Sequence, residues 1–335
     1  MAVVGIACAA MCARAENTPG APPAPPANLA PPAIAAPPAI STAPAFAAPK
    51  LGGYIQARET AQERVGLTAT LNRARFSMDG GLSAGFTYRF LVELEAATGA
   101  RTAAAVSLRE AIIKWTLASW SVTAGQFKTP FSRAYLILVP QLETADLAAA
   151  VDSLAPKYDV GAMTEYALGP VATATVGVFN GEGQNATANR DSMVMVVGRL
   201  VLRPVAQLGL GASVTRDGSD SLRWGVDLNI EDHGAVLRAE YLTRHRRGRA
   251  PREDDFGWYV FGGYRATPRL QLIVQEEDFE RPSLGQVRRV RATVLGANIE
   301  IAPNRVRLLL EGMRRRSGAN QARSDVLVAQ LQVKF

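Results

Sequence analysis

The chain has very little cysteine or histidine. It contains two cysteines, Cys8 and Cys12, both within the first 15 residues, and two histidines, His233 and His245. Beyond residue 15 there is no thiol to form a disulfide or to bind a metal ion. Only the histidines could serve as the general base of a serine-type mechanism, and they fall in a short turn and in a basic loop. We therefore expect no catalytic residues, no metal site and no cofactor.

Long apolar runs are missing as well. After the N-terminus no stretch approaches the ~18 residues that a membrane-spanning helix needs. Hydrophobic residues nevertheless make up 48% of the chain, and the mean hydropathy is +0.02. If the chain enters a membrane, it must do so with strands.

The N-terminal segment differs in composition from the rest of the chain. Residues 2–13 are apolar, and Ala13-Arg14-Ala15 resembles a cleavage site, which predicts a signal peptide over residues 1–15. Residues 16–50 are rich in alanine and contain 11 of the 20 prolines. Such a stretch cannot form a core, so it is predicted to be a disordered, extended linker. The folded domain is predicted over residues 51–335.

Hydrophobic and polar residues alternate from residue 51 onward. In the last segment, alternate residues from Leu327 to Phe335 fall on one apolar face of an extended strand, and Gln330, Gln332 and Lys334 fall on the other. The same period recurs in many earlier segments. A half-buried strand of a soluble sandwich shows this pattern too, so a soluble secreted β-rich binding protein is an alternative.

The spacing of turns predicts the number of strands. Tight turns occur near seven positions: Gly80, Ser119, Pro170, Pro204, His233, Pro268 and Pro303. Longer polar connections alternate with them, near residues 60–68, 97–106, 128–159, 180–191, 216–221, 245–256, 279–288 and 316–324. Fifteen connections imply an all-β fold, a transmembrane antiparallel β-barrel of about sixteen strands with both chain ends on the short-turn side. Its interior is too wide for side chains to fill, so the polar faces should line water.

One stretch carries a resemblance to a known family. VTAGQFKTPFSRAYL, residues 122–136, resembles the phosphate-selective porin O/P family, whose members carry Gly-x-Phe-Lys-x-Pro-Phe-Ser where a strand runs into the constriction loop. LAPKYDVG (154–161) and GVFNGEGQN (177–185) are similar to the family's return from that loop and to its Phe-Asn-Gly loop. The resemblance implies a sixteen-stranded, usually trimeric bacterial outer-membrane channel, narrowed by an inward-folded third extracellular loop.

Residues 128–159 correspond to that loop. They form by far the longest connection, and their apolar content requires a wall to pack on. The charged residues of this loop are Lys128, Arg133 and Lys157 against Glu143, Asp146, Asp152 and Asp159, a net charge of −1. A phosphate filter needs a concentrated cationic ring. The loop therefore favours passive diffusion of small hydrophilic solutes with a weak preference for anions, phosphate being one candidate.

Face assignment by parity gives the candidate pore-lining residues. Five basic residues of the first four strands are placed on the lumen wall: Arg58, Arg73, Arg75, Arg89 and Lys114. The arginines among them are expected to form a basic strip with few carboxylates beside it. The same rule places Arg289 and Arg291 on the lumen wall.

The sequence also predicts partners. The run RHRRGRAPR, residues 244–252, is expected to be a surface loop facing lipopolysaccharide phosphates in the outer membrane, and not a nucleic-acid site. The terminal Phe335 resembles the signature that the barrel-assembly machinery recognises. We expect a homotrimer that conducts small anions or hydrophilic solutes. An outer-membrane barrel enzyme remains a further, less favoured alternative.

Overall fold

A computed structural model describes residues 48–95, 105–218, 221–248, 254–283, 286–318 and 320–335. The predicted signal peptide lies outside these residues, and so does the predicted linker apart from residues 48–50. The first strand begins at Lys50, where the alanine- and proline-rich composition ends.

Sixteen antiparallel strands form the fold. They are β1 (Lys50–Gln62), β2 (Gly66–Gly81), β3 (Phe86–Glu95), β4 (Ala105–Leu117), β5 (Trp120–Lys128), β6 (Tyr158–Leu168), β7 (Ala172–Phe179), β8 (Met195–Val205), β9 (Leu208–Asp217), β10 (Ser221–Asp232), β11 (Ala235–Arg246), β12 (Asp255–Thr267), β13 (Leu270–Ser283), β14 (Gln286–Ala302), β15 (Val306–Gly318) and β16 (Ala322–Lys334). Each pairs with its neighbours in sequence, and β1 pairs with β16, which closes the barrel. The predicted barrel of about sixteen strands is confirmed. No helix in the described part of the chain is long and apolar enough to cross a membrane.

The connections alternate as predicted, but four of the expected long loops are short. All seven connections on one side have two to four residues, and both ends of the barrel lie on that side. On the other side, residues 63–65, 218–220, 284–285 and 319–321 are equally short. The strands extend into these regions because residues there continue the antiparallel ladder.

The alternation separates an apolar outer face from a polar inner face. On β16, Leu327 and Leu331 are 65% and 40% exposed, whereas Gln330 and Gln332, on either side of Leu331, are 2% and 3% exposed. Exposed leucines are stable on this face because it meets lipid. The glutamines point into the lumen, where Gln332 donates to the carbonyl of Pro140 in the loop between β5 and β6.

That loop, residues 129–157, folds into the barrel as its third long-side connection. It contains two short helices, α1 (Arg133–Leu136) and α2 (Ala149–Leu154), with a 3-10 turn at Val139–Gln141 between them. Phe131, Val151 and Leu154 are at most 1% exposed and pack in one cluster with inward side chains of the wall. The helix α2 contacts β11, β12 and β13, on the far side from the strands that carry the loop. The hydrophobic core therefore lies inside the barrel, and the predicted inward-folded third loop is confirmed.

Candidate functional site

The constriction begins at the Gly-x-Phe-Lys-x-Pro-Phe-Ser stretch. Gly125 has a φ of +124°, and a Cβ at this position would collide with the carbonyl oxygen of Ala111 on β4. Only glycine adopts this backbone without strain. Phe127 and Phe131 are buried in the core, and Phe127 contacts the Phe179 ring edge-on at 5.2 Å. The glycine lets the strand turn inward, and the two phenylalanines fix it against the wall.

The polar residues of the same stretch hold the loop's first turn. The Lys128 ammonium donates to the carbonyls of Tyr135, at 2.6 Å, and Ile137, at 2.8 Å. Thr129 donates its hydroxyl to backbone carbonyls at the loop's return, and its N–H donates to the Lys157 carbonyl at 3.0 Å. Burial raises the pKa of the Tyr135 hydroxyl, so it remains neutral. Lys128 thus stabilises the conformation of the loop through these hydrogen bonds.

Three wall glutamates accept hydrogen bonds from the loop. Glu240 on β11 accepts from the Ser132 hydroxyl, at 2.6 Å, and from the Ala134 N–H. Glu277 on β13 accepts from the Ala149 N–H at 3.1 Å, and Glu311 on β15 accepts from the Ala145 N–H at 2.8 Å. These carboxylates are between 3% and 7% exposed. Because each faces a backbone donor of the loop, the loop is fixed across the lumen at three alternate strands.

Arginine contacts hold the tip of the loop. Arg58 on β1 forms a bidentate pair with Asp146, at 2.9 and 3.0 Å, and also donates to the Ala145 carbonyl. Arg238 on β11 pairs with Glu143, and Arg307 on β15 donates to the Leu142 carbonyl at 2.7 Å. The tip therefore contacts opposite parts of the wall, which makes this loop the narrowing element of the lumen.

The five candidate pore-lining cations all project from the inner face of β1–β4. Arg73 donates to Gln56 at 3.1 Å, Arg75 pairs with Glu93 at 2.9 Å, and Arg89 pairs with Asp79 and Glu110 at 3.0 and 2.8 Å. Lys114 lies opposite Thr87 on β3. The expectation of a strip with few carboxylates is wrong, because inner faces of adjacent strands place Glu93, Asp79 and Glu110 directly beside the arginines.

The loop cations occupy different positions. Lys157 pairs with Asp152 within the loop at 2.8 Å and is exposed. The Arg133 guanidinium lies 3.8 Å from Glu231, while its buried Nη1 donates no hydrogen bond to any of the described residues.

The parity rule missed Arg109. This residue lies at a β-bulge in β4, opposite the step from Leu91 to Val92. It pairs with Glu93 at 2.5 Å, and its guanidinium stacks over the Tyr158 ring at 6.0 Å. A bulge adds one residue and reverses the alternation, so counting by twos through the strand cannot place this side chain.

The lumen positions predicted for Arg289 and Arg291 are wrong. On β14 the buried residues are Ala292 and Val294, both 2% exposed, and Leu295 is 61% exposed. Both arginines therefore lie on the outer face, where they pair with Asp278 of β13. The rule failed because the inward residues of this strand are themselves apolar, and one of them, Val290, packs against the hydrophobic cluster that contains the loop.

Several cavities flank the loop inside the barrel, and two of them adjoin the strands from β1 to β10. The strip cavity, about 150 Å³, lies between β1–β4 and the loop; its charged lining is Arg75, Arg89, Lys128, Lys334 and Glu110. The turn-side cavity, about 450 Å³, lies between the loop and the short-turn ends of β6–β10; its charged lining is Lys128, Arg133, Arg199, Arg203, Glu165 and Asp227. Cations outnumber carboxylates by three and by two, respectively.

No metal-binding group of three or more histidine, cysteine or carboxylate side chains occurs among the residues that the structure covers. His233 is 92% exposed in the turn after β10 and contacts Asp232, and His245 contacts Asp254. The arrangement offers charge, hydrogen bonds and a narrowed aqueous path.

Comparisons with known proteins agree with this geometry. The sequence model of the family described as phosphate-selective porin O and P matches residues 54–216, whereas no curated protein sequence matches the chain. OmpT of Vibrio cholerae, an outer-membrane protein in its trimer form, is 12% identical over 86% of this chain and 99% of its own, with a TM-score of 0.65. The anion-selective porin of Comamonas acidovorans is 12% identical over 86% and 99%, with a TM-score of 0.62.

OccD3 of Pseudomonas aeruginosa is 10% identical over 86% of this chain and 91% of its own, with a TM-score of 0.54. At these identities the structures share the fold. The family match extends from β1 to β9 and includes the constriction loop. Residues 54–216 are thus similar to the phosphate-selective porins O and P, and the described strands have the barrel fold of bacterial outer-membrane porins.

Proposed function

We propose that the chain mediates passive diffusion of small hydrophilic solutes with a weak preference for anions. The observation that carries this proposal is that cationic side chains outnumber carboxylates in the strip cavity and in the turn-side cavity. Clustered charge in a confined aqueous space attracts counter-ions and raises their local concentration. The preference is weak because most of these cations pair with carboxylates, and the Debye length of about 8 Å at physiological salt screens the remainder.

The zero-current potential across a planar bilayer under a KCl gradient tests this proposal. Wild type should be anion-selective at low salt, and the selectivity should fall as salt rises. Arg73→Ala should reduce it, because Arg73 contacts Gln56 and its charge is not neutralised by that contact. Arg64→Ala is the matched control, since Arg64 lies in the β1–β2 turn with 83% of its side chain exposed. Cation selectivity of the wild type would refute the proposal.

We do not assign phosphate as a dedicated solute. The loop carries a net charge of −1, and Lys128 and Lys157 are engaged with loop carbonyls and with Asp152. Equal permeability of chloride and phosphate, after correction for size, is the expected result in the same bilayer.

We infer further that the channel has no enzymatic activity. Gly81-Leu82-Ser83-Ala84-Gly85 matches the pattern of a nucleophile elbow, but it joins two antiparallel strands, whereas the elbow joins a strand to a helix. The Nδ1 atoms of His233 and His245 lie 2.8 and 2.7 Å from neighbouring aspartates. Hydrolysis of ester or peptide substrates by purified barrel would refute this inference.

We propose that three copies associate through the outer face of β14–β16 and β1–β2, named here the association face. Two ion pairs lie on this outer face. Asp278, whose register partner on β12 is Trp258, pairs with Arg291 at 3.0 Å. Arg314 pairs with Asp325 at 3.4 Å. Charged groups are costly against lipid. A groove of about 790 Å³ lies above Gly312 on this face, between Leu295, Leu327 and Leu67. A groove above a small residue, with ion pairs at its rim, is a surface on which a second copy of the chain could pack.

The variant Gly312→Phe tests the association face. A Cβ at Gly312 would meet Leu327 at 3.5 Å, an ordinary contact, so the barrel should tolerate the substitution while the ring fills the groove. Unboiled wild type should migrate as a trimer and the variant as a heat-modifiable monomer. A trimeric variant would place the interface elsewhere.

The remaining partners are proposals too. Arg244 and Arg246 pair with Asp255. We propose that the next residue, Arg247, contacts lipopolysaccharide phosphates. Phe335 packs on Phe76 at 5.5 Å and is 55% exposed, as recognition by the barrel-assembly machinery would require. We also propose export by a signal peptide over residues 1–15. Mass spectrometry of the mature protein should give an N-terminus at Glu16.

A further inference from the structure

The turn-side cavity has two chemically different walls. Pro130, Leu136 and Ile137 of the loop and Met163 of β6 supply an apolar side. The other side is charged, and Arg203 of β8 is one of its residues. The volume of about 450 Å³ falls within the range of ~300–1,000 Å³ that is typical of ligand pockets.

The cations of this cavity differ in how far they are neutralised. Arg199 pairs with Asp227 at 2.7 Å and donates to Ser213, so its charge is compensated inside the wall. Arg203 is exposed and donates to the Thr173 hydroxyl at 3.5 Å, a contact with no charge. The buried Nη1 of Arg133 has no hydrogen-bond partner within the described residues. A carboxylate could therefore bind the exposed Arg203, with Arg133 as a second cation in the lining that lies 3.8 Å from Glu231, while its hydrocarbon part lies on Leu136 and Ile137.

We propose that the turn-side cavity is a binding site for organic anions that combine a carboxylate with an apolar body. The proposal rests on the proposed anion preference and specifies its solute class. The strip cavity differs in size, because its volume of about 150 Å³ is a third of that of the turn-side cavity and suits small hydrated anions. The loop separates the two cavities, and Lys128 lines both.

Inhibition of single-channel KCl current tests the site, with benzoate as the probe and formate as a carboxylate without an apolar body. Benzoate should inhibit at a concentration about tenfold lower than formate does, because its ring is removed from water against the apolar wall. Leu136→Asn should weaken inhibition by benzoate and leave that by formate unchanged. Arg203→Gln should weaken inhibition by both anions about tenfold, since it removes a charge-assisted hydrogen bond.

Arg89→Gln is the matched control because it removes one cation from the strip cavity. It should lower chloride selectivity and leave the benzoate concentration for half-inhibition unchanged. Folding of each variant is verified by its heat-modifiable band, and Ile137→Asn replaces Leu136→Asn if that variant does not fold. Equal inhibition by benzoate and formate, or benzoate inhibition that Leu136→Asn and Arg203→Gln leave intact, would overturn the site. If wild type is cation-selective but benzoate still inhibits more strongly than formate, only the proposed general anion preference would be overturned.

Discussion

Glu277 is expected to anchor α2 of the constriction loop, and its substitution by alanine should release that part of the loop. The helix α2 begins at Ala149, and its N-cap residue, Ala148, has no side chain to accept a hydrogen bond. Glu277 supplies the missing acceptor from the wall, 3.1 Å from the Ala149 N–H. The carboxylate is therefore both a cap for the helix and a link between the loop and β13.

The magnitude follows from this one charge-assisted hydrogen bond. Such a bond contributes about 2 kcal/mol. Its loss should raise the ratio of released to anchored α2 roughly 30-fold, because every 1.4 kcal/mol corresponds to a factor of ten. The contacts at Glu240, Glu311 and Arg58 remain, so the barrel and the rest of the loop should stay in place.

Single-channel recordings at fixed voltage measure the effect. Glu277→Ala should show more open-channel noise than wild type and brief steps to higher conductance. Glu276→Ala is the matched control, because Glu276 is the adjacent residue, points to the outer face and accepts from Thr293 at 2.6 Å. Equal noise in both variants would refute the anchoring role of Glu277.

Three further outcomes are expected. Glu240→Ala should give more noise than Glu277→Ala, since Glu240 accepts two hydrogen bonds from the loop, and the same recordings compare them. Gly125→Ala should lower the temperature at which the folded band disappears on a gel, because the strained backbone costs about 1–3 kcal/mol; an unchanged transition would contradict this reason for the glycine. Protease should remove the linker up to the start of β1 at Lys50 without loss of the heat-modifiable barrel, and a resistant segment would disprove the predicted linker.

The barrel was predictable because lipid and water impose opposite preferences on alternate residues. On β16 and β3 the alternate residues Leu327, Leu331, Phe86 and Phe90 face lipid and the charged and amide residues face the lumen, so counting by twos gave both faces correctly, although Val328 and Leu91 point inward as well. The prediction failed at β14, where the inward residues Ala292 and Val294 are apolar and Val290 packs against the cluster that contains the loop. Alternation cannot distinguish the two faces of a strand when the inward residues are apolar as well.

The details of the site depended on geometry that the sequence does not display. The bulge at Arg109 reverses the strand's alternation, and no local turn residue marks it. The carboxylates beside Arg75 and Arg89 come from neighbouring strands, whose register fixes the pairs. Glu240, Glu277 and Glu311 hold the loop through its backbone N–H groups, and that role depends on the path of the loop across the lumen, which the sequence does not display.

The conductance of a loop deletion tests the central claim, that residues 129–157 narrow a water-filled channel. Deleting residues 134–152 removes both short helices except for their outermost residues, together with the tip that contacts Arg58, Arg238 and Arg307. The deleted protein should still give a heat-modifiable barrel, and its single-channel conductance in KCl should exceed that of wild type. An unchanged conductance in the folded deletion variant would contradict the account.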